Sequence, residues 1–489
     1  MPAMRTAARP ATTRWVVVLL AWVGILAAIT AIAQRYGFSG LAVDRAAINH
    51  ALTGDGLYAY RAPLTHLGTA LPPPALFLVL PAVFLPLSVA GWLTALAGVA
   101  ALALAMVALV GPVARRYGRR RWPVVVAAGA LALTVEPVRA ALGLGSLDLL
   151  VFGLLTADIV ALRRGAWARS RAAWWPGRSA SPPPGRTPGD LLQRGWATGA
   201  WAGVGVGLAT ALAVTPAFFI GYLAMTRQWR AALTAAGTAL LAALAALLVS
   251  PRETAAWFGE VLWRIDRAGP VDAIANQSLA GVLARLYDSA TTPVLLWLSF
   301  ALLLLAVGFI RARAAHADGD EITAFTLVGL TVAIVGPVTD THELIWVLPA
   351  LLILIDAAAR RRGAARRPPS GRRAGLGFAV AAAVTYLLFV LAPMWSLRDP
   401  FSANCYALAL ILLVNALPSR PGVAPAFLVN RWLGQASAQT RRRAAAAGPR
   451  RGNHADGLPN PARRIGPACH HPGGSLPAAT IPPPRHPGR

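Results

Sequence analysis

The chain has 489 residues, 56% hydrophobic and 13% charged, whereas soluble domains carry about 25% charged residues, so an ordinary soluble globular protein is excluded. Its net charge is +27 and its basic residues are all arginine, which excludes lysine nucleophiles and Schiff-base chemistry. The arginines cluster between long apolar runs and near the C-terminus, so the charge reads as membrane topology, and nucleic acid is not an expected partner.

Arg5, Arg9 and Arg14 precede an apolar run over 15–33, which reads as a retained signal-anchor with residues 1–14 in the cytoplasm. An external loop over 34–73 follows, holding Asp44 and the Gly, Asp and Tyr residues of 54–58. The run over 74–111 exceeds one crossing of roughly 20 residues and is broken by Pro81 and Pro86. It ends at the cytoplasmic cluster Arg115, Arg116, Arg119, Arg120 and Arg121. Residues 123–135 lead out, 136–146 form an external loop, and 147–162 return to Arg163 and Arg164. The stretch 165–194 has loop composition and reads as a cytoplasmic linker.

Residues 196–226 break at Thr215 and Pro216 into a hairpin, 231–249 cross outward, and 250–291 form a long, partly polar external loop. A crossing over 292–310 reaches Arg311 and Arg313. Residues 322–338 lead out again and 344–354 return, with Asp340, Thr341, His342 and Glu343 as the turn. The segments 376–390 and 406–416 make the last pair, which brings the total to about ten to twelve crossings at the usual span length. The remainder, 419–489, is basic and proline-rich and reads as a disordered cytoplasmic tail. Cys405 and Cys469 make no disulfide or metal framework, and His470 with His471 has no further ligands at metal spacing.

Placing every arginine cluster inside puts Asp44, Glu136, Arg139, Asn276, Gln277 and His342 on one external face. These are most of the polar residues not accounted for by topology. A single water-facing site built from separate loops is expected.

Four segments carry a resemblance to the actinobacterial glycosyltransferase family 87. One is Asp44 followed by 54–58 and by Pro72, Pro73, Pro81 and Pro86; the second is Glu136-Pro137-Val138-Arg139, followed by the apolar run ending in Ala157-Asp158. The third is Asn276-Gln277-Ser278-Leu279 with Gly281 and Arg285; the fourth runs from Pro337 to His342 and on through Trp346-Val347-Leu348-Pro349. The chain departs from the family pattern at four places. Gly145-Ser146-Leu147-Asp148 stands for Gly-Gln-x-Asn, Ala213-Val214-Thr215-Pro216 for Lys-x-Thr-Pro, His342-Glu343 for a histidine pair, and Leu71 for a tyrosine.

The resemblance implies an all-α polytopic plasma-membrane protein of the GT-C type, its catalytic domain over 15–418 and its active site outside. It implies inverting transfer of mannose from polyprenyl phosphomannose to a glycolipid or lipoglycan acceptor, through an alpha-1,2 linkage, with membrane lipids around it and no cofactor or metal. Asp44 is then the general base, its other reading being a solvated loop aspartate or helix N-cap. His342 contacts donor phosphate or acceptor hydroxyls, orients Asp44, or is a solvated turn histidine. Arg139 and Arg285 clamp the phosphate, or contact lipid headgroups and Glu136. Asn276 and Gln277 read sugar hydroxyls or cap the following helix, and Glu136, Glu343 and Tyr58 complete the sugar or acceptor contacts. Trp257, Trp263 and Trp395 stack on sugars or anchor at the interface. The rivals are a transporter of lipid-linked saccharides, which needs polar residues at mid-span, and a catalytically divergent family member.

Overall fold

The computed structural model describes residues 23–420 apart from 25, 28, 64–67, 175–186, 265, 267–268, 289–291, 364–368 and 398. Contacts divide the chain into Met1–Leu433 and Gly434–Arg489, and every described residue lies in the first unit. Residues 1–14, most of 15–28, the middle of the 165–194 linker and everything beyond Arg420, including Cys469, His470 and His471, lie outside the described residues. Among the described residues all regular structure is helical.

A helix over 29–36 turns sharply into α1 (Ser39–Leu52) through Gly37 and Phe38, both left-handed at φ 64° and 52°. Phe38 is held there by its amide, which donates to the Gly143 carbonyl at 2.9 Å, and by its ring, which lies where a Cβ on Gly91 would be. Next come α2 (Pro73–Val79), opened by proline where no N–H partner is needed, and α3 (Leu87–Arg116), which starts directly after Pro86. The pair α4 (Arg121–Thr134) and α5 (Glu136–Leu144) bends by 73° at Val135, which is extended, and Pro137 in the first turn of α5 has no N–H to continue the ladder of α4. Gly145, at φ 72°, ends α5 and starts the descent into α6 (Asp148–Trp174).

The helix α6 corrects the reading of 165–194 as loop, since its Ala- and Arg-rich end is a good helix former and only the Pro- and Gly-bearing part that follows is not. A further helix, α7 (Pro188–Thr198), is capped by Thr187, whose side chain accepts from the Asp190 amide. Then follow α8 (Val204–Leu212), α9 (Ala217–Met225), α10 (Trp229–Val249) and α11 (Pro251–Gly259). Close glycine contacts pin α8: a Cβ on Gly205 would meet the Leu154 carbonyl, and one on Gly207 the Ala235 carbonyl.

After α12 (Leu279–Leu286) and α13 (Val294–Ala317), α14 (Glu321–Val335) is buried from Ile322 to Val335, and Trp346 packs on Gly329 where any side chain would collide. A tight turn over Thr341–Trp346 leads into α15 (Val347–Gly363), α16 (Pro369–Leu391), the short α17 (Pro400–Ala403) and α18 (Cys405–Ala416). Among the described residues, five helical stretches are long and apolar enough to cross a bilayer by length and composition, six if the bent α4–α5 pair counts as one. Several segments read from the sequence as crossings are shorter apolar helices, among them α14 and α18.

Candidate active site

A cavity of about 420 Å3 opens where α1, the strand-like stretch before α2, the α5–α6 corner, the α8–α9 corner and the turn after α14 come together. Asp44, Asp148, Asp340, His342 and Glu343 all line it. Asp44 stands on the middle of α1, and the Thr69 hydroxyl donates to its Oδ1 at 2.6 Å. Burial raises the Asp44 carboxyl to about 6, with the Thr69 hydrogen bond and His342 pulling it down and Asp148 pushing it further up. A carboxyl so poised is mostly ionised at neutrality yet more basic than an ordinary carboxylate, which suits a proton acceptor. Burial raises the Asp340 carboxyl as well.

The Nε2 of His342 lies 3.5 Å from Asp148 Oδ2. This ion pair joins the turn after α14 to the first turn of α6. Thr341, next in the chain, donates to Glu136 Oε1 at 3.2 Å, so α5 fixes the same turn from the other side. The wall behind is aromatic: Trp346 packs edge-on to Phe152 at 5.4 Å and stacks with Phe219 at 5.3 Å.

Asp44 and His342, drawn from opposite ends of the sequence, are thus brought together with Glu343. The other expected residues lie elsewhere. Arg139 does not line the cavity; its Nη2 donates to the Val390 carbonyl on α16 at 3.0 Å. Arg285 is fully engaged, with Nε and Nη2 on Asn404 Oδ1 at 3.1 and 2.7 Å and Nη1 on the Ala273 carbonyl at 2.6 Å. The expectation of a two-arginine phosphate clamp in this cavity is not met.

Nor do Asn276 and Gln277 face the cavity, because both are completely buried and bonded to backbone. Asn276 Nδ2 donates to the Val271 and Pro337 carbonyls, and its Oδ1 accepts from the Ser278 and Thr339 amides. Gln277 Nε2 donates to the Ile274 and Ala403 carbonyls, and its Oε1 accepts from the Ala407 amide. Ser278, not either amide, caps α12 by accepting from the Gly281 N–H. Glu136 is 2% exposed on α5, outside the cavity. Tyr58 acts from behind: its hydroxyl donates to the carbonyl of Leu71, a lining residue, and its ring packs on the buried Trp257 at 5.5 Å. Trp263 and Trp395 are exposed and do not line the cavity.

Every place where the chain departs from the family pattern falls in the cavity wall: Leu71, Ser146 to Asp148, Ala213 to Thr215, and Glu343. In the sequence Asp148 stands out only as the replacement of an amide, and Thr69 does not stand out at all. No spacing marks Thr69, but a hydroxyl just ahead of a proline run that must fold back over Asp44 is a usable signal. Among the described residues no group of three or more His, Cys, Asp or Glu side chains converges to hold a metal ion.

The chain is 28% identical over 236 residues to a polyprenol-phosphate-mannose-dependent alpha-(1-2)-phosphatidylinositol mannoside mannosyltransferase of Mycobacterium tuberculosis, covering 48% of this chain and 47% of the relative. It is 26% identical over 311 residues to the protein of the same name from Mycolicibacterium smegmatis, covering 62% of each. A third relative, a polyprenol-phosphate-mannose-dependent alpha-(1-2)-phosphatidylinositol pentamannoside mannosyltransferase of Mycobacterium tuberculosis, is 27% identical over 277 residues, 56% of this chain and 54% of the relative. The chain therefore spans about half to three fifths of the length of these curated relatives. No solved structure matches it. The sequence model of glycosyltransferase family 87 matches residues 71–337, more than half of the chain, between Asp44 on one side and His342 on the other. The chain belongs to glycosyltransferase family 87.

Proposed function

We propose that this chain is a membrane mannosyltransferase that takes mannose from polyprenyl phosphomannose and passes it to a glycolipid or lipoglycan acceptor. Family membership and the names of the relatives support the donor and the sugar. The observation that carries the reading is the shared cavity of Asp44 and the His342–Asp148 pair. Asp44 takes the proton from the acceptor hydroxyl as its oxygen bonds to the anomeric carbon. The bond from that carbon to the phosphate oxygen breaks on the opposite face, and polyprenyl phosphate leaves. Attack opposite the leaving group inverts the anomeric centre, and the relatives' names favour an alpha-1,2 product.

His342 is the basic side chain lining the cavity, and we assign it, braced by Asp148, to the departing phosphate oxygens in place of Arg139 and Arg285. Glu343 also lines the cavity, and we assign it to the acceptor. The arginine clusters at the far ends of the helices support a reading in which the cavity opens on the external face of the plasma membrane.

A transporter needs unsatisfied polar groups at mid-span. The buried carboxylate of Asp158, midway along α6, instead gives its Oδ2 to the start of α8, where it accepts from the Val206 amide at 2.6 Å, and its Oδ1 is left without a hydrogen bond among the described residues. One observation favours a second reading, a divergent member that binds the donor without turning it over: alanine at 213 stands where the resemblance expects lysine, and Asp148 where it expects an amide. Membranes carrying the protein are to be supplied with labelled polyprenyl phosphomannose or with a labelled nucleotide sugar, and lipid-extractable product measured. The proposal expects product from the first donor alone. Donor binding without product supports the divergent reading, and product from the nucleotide sugar overturns both.

A further inference from the structure

A second cavity, about 760 Å3, lies at the other end of α6. Asp148 lines the active-site cavity and Arg163 this one, about 22 Å apart along the axis at 1.5 Å per residue. Arg163, Arg169, Arg227 and Arg230 converge on it from α6 and the α9–α10 turn. Arg230 donates weakly to the Ala200 carbonyl at 3.4 Å, whereas no hydrogen bond or ion pair is made by the guanidinium groups of Arg163, Arg169 or Arg227 among the described residues. The acid in the wall is Glu321, and it is already engaged, by His316 Nδ1 at 2.6 Å and by the Tyr222 hydroxyl at 3.1 Å. A surplus of unpaired cations in a concave site calls for an anion.

The depth of the cavity says which kind. Trp229 is the first residue of the membrane-crossing α10 and His316 stands in the last turn of the membrane-crossing α13, and both line it. Trp229 and Trp167 are exposed at its rim, the position tryptophan takes at a headgroup layer. A backbone feature points the same way. Arg227 is left-handed at φ 59°, in the turn where its amide donates to the Ala224 carbonyl and the Gln228 amide to the Leu223 carbonyl. Glycine is the usual occupant of that position because it adopts the conformation freely. Arginine is held there against its backbone preference, which is understandable if its side chain has work in the cavity.

We propose that this cavity binds the phosphodiester headgroup of an anionic membrane phospholipid, with Arg163, Arg169 and Arg227 as the phosphate ligands and Trp167 and Trp229 against the glycerol and acyl region. The site is separate from the transfer reaction and does not depend on it. Basic pockets between crossing helices recognise such headgroups by the same chemistry.

The purified protein in neutral detergent is to be melted with phosphatidylglycerol, with phosphatidylcholine, or with inorganic phosphate at matched ionic strength. Phosphatidylglycerol is expected to raise Tm by at least about 3 °C and the other two to leave it unchanged. The variant Arg227→Gly relieves the backbone, so it keeps the parent Tm in phosphatidylcholine while losing at least half of the phosphatidylglycerol response. The double variant R163Q/R169Q loses the response too. A full response in both variants, or an equal rise with phosphatidylcholine or inorganic phosphate, overturns the assignment.

Discussion

Asp44 sets the pH behaviour of the proposed reaction. With its carboxyl raised to about 6 by burial, the ionised base is lost as pH falls through 6, so turnover rises with pH across that value and levels off above it. Thr69 donates to the ionised form, and donors to a charged form favour it. Thr69→Val therefore moves the acid limb upward, by about half a unit to one unit, read from a rate profile between pH 5 and 8. For Asp148→Asn the loss of the partner 3.5 Å from His342 is expected to lower kcat by about tenfold or more with little change in Tm, since both side chains border the cavity. A kcat equal to the parent's removes His342 from the leaving-group role.

At the scale of elements, the segment over 276–279 turned out to be a knot of structure. Asn276 ties the loop before α12 to the turn after α14, and Gln277 ties it to α18. Asn276→Ala leaves the buried Ser278 and Thr339 amides without their acceptor, at roughly 1–3 kcal/mol for each orphaned group. The expected result is a marked fall in Tm; a raised KM at unchanged Tm would instead return this residue to sugar recognition. Nothing in the sequence separated these outcomes, because an amide that reads a sugar and one that reads backbone are the same residue, and the deciding partners lie about sixty or more positions away. Asp44 and His342 were legible for another reason. Each is a polar residue beside a long apolar run, and arginine placement puts both at one face. The bend at Val135 was legible only in part: Pro137 announced a break, but no residue pattern marks 136–144 as a buried helix rather than a loop.

Across the whole molecule the two ends of the helices do different work. One end gathers acids and a histidine around a cavity; the other holds arginines, two of which the buried carboxylate of Asp356 ties down. Asp356 is fully buried, Arg360 and Arg420 each donate from Nε to its Oδ2 at 2.9 Å, and the Tyr117 hydroxyl donates to its Oδ1 at 3.1 Å. It thereby fastens α15, the residue after α3 and the chain beyond α18 to one another. Removing the charge strands Arg420, itself only 7% exposed, so Asp356→Asn is expected to destabilise the protein by about 3–5 kcal/mol, seen as early unfolding in detergent with activity at low temperature retained. An unchanged unfolding curve would show that the knot contributes no net stability. The positive charge that marked this face in the sequence is therefore partly structural, a distinction that arginine spacing alone does not carry.

The most direct measurement is transfer of labelled mannose from polyprenyl phosphomannose to lipid acceptor by the parent protein and by Asp44→Asn, in membranes with equal protein content and equal Tm. The account predicts turnover by the parent and a loss of about 100-fold to 10,000-fold in the variant, the range for removing a general base. Equal turnover by the two proteins would contradict it.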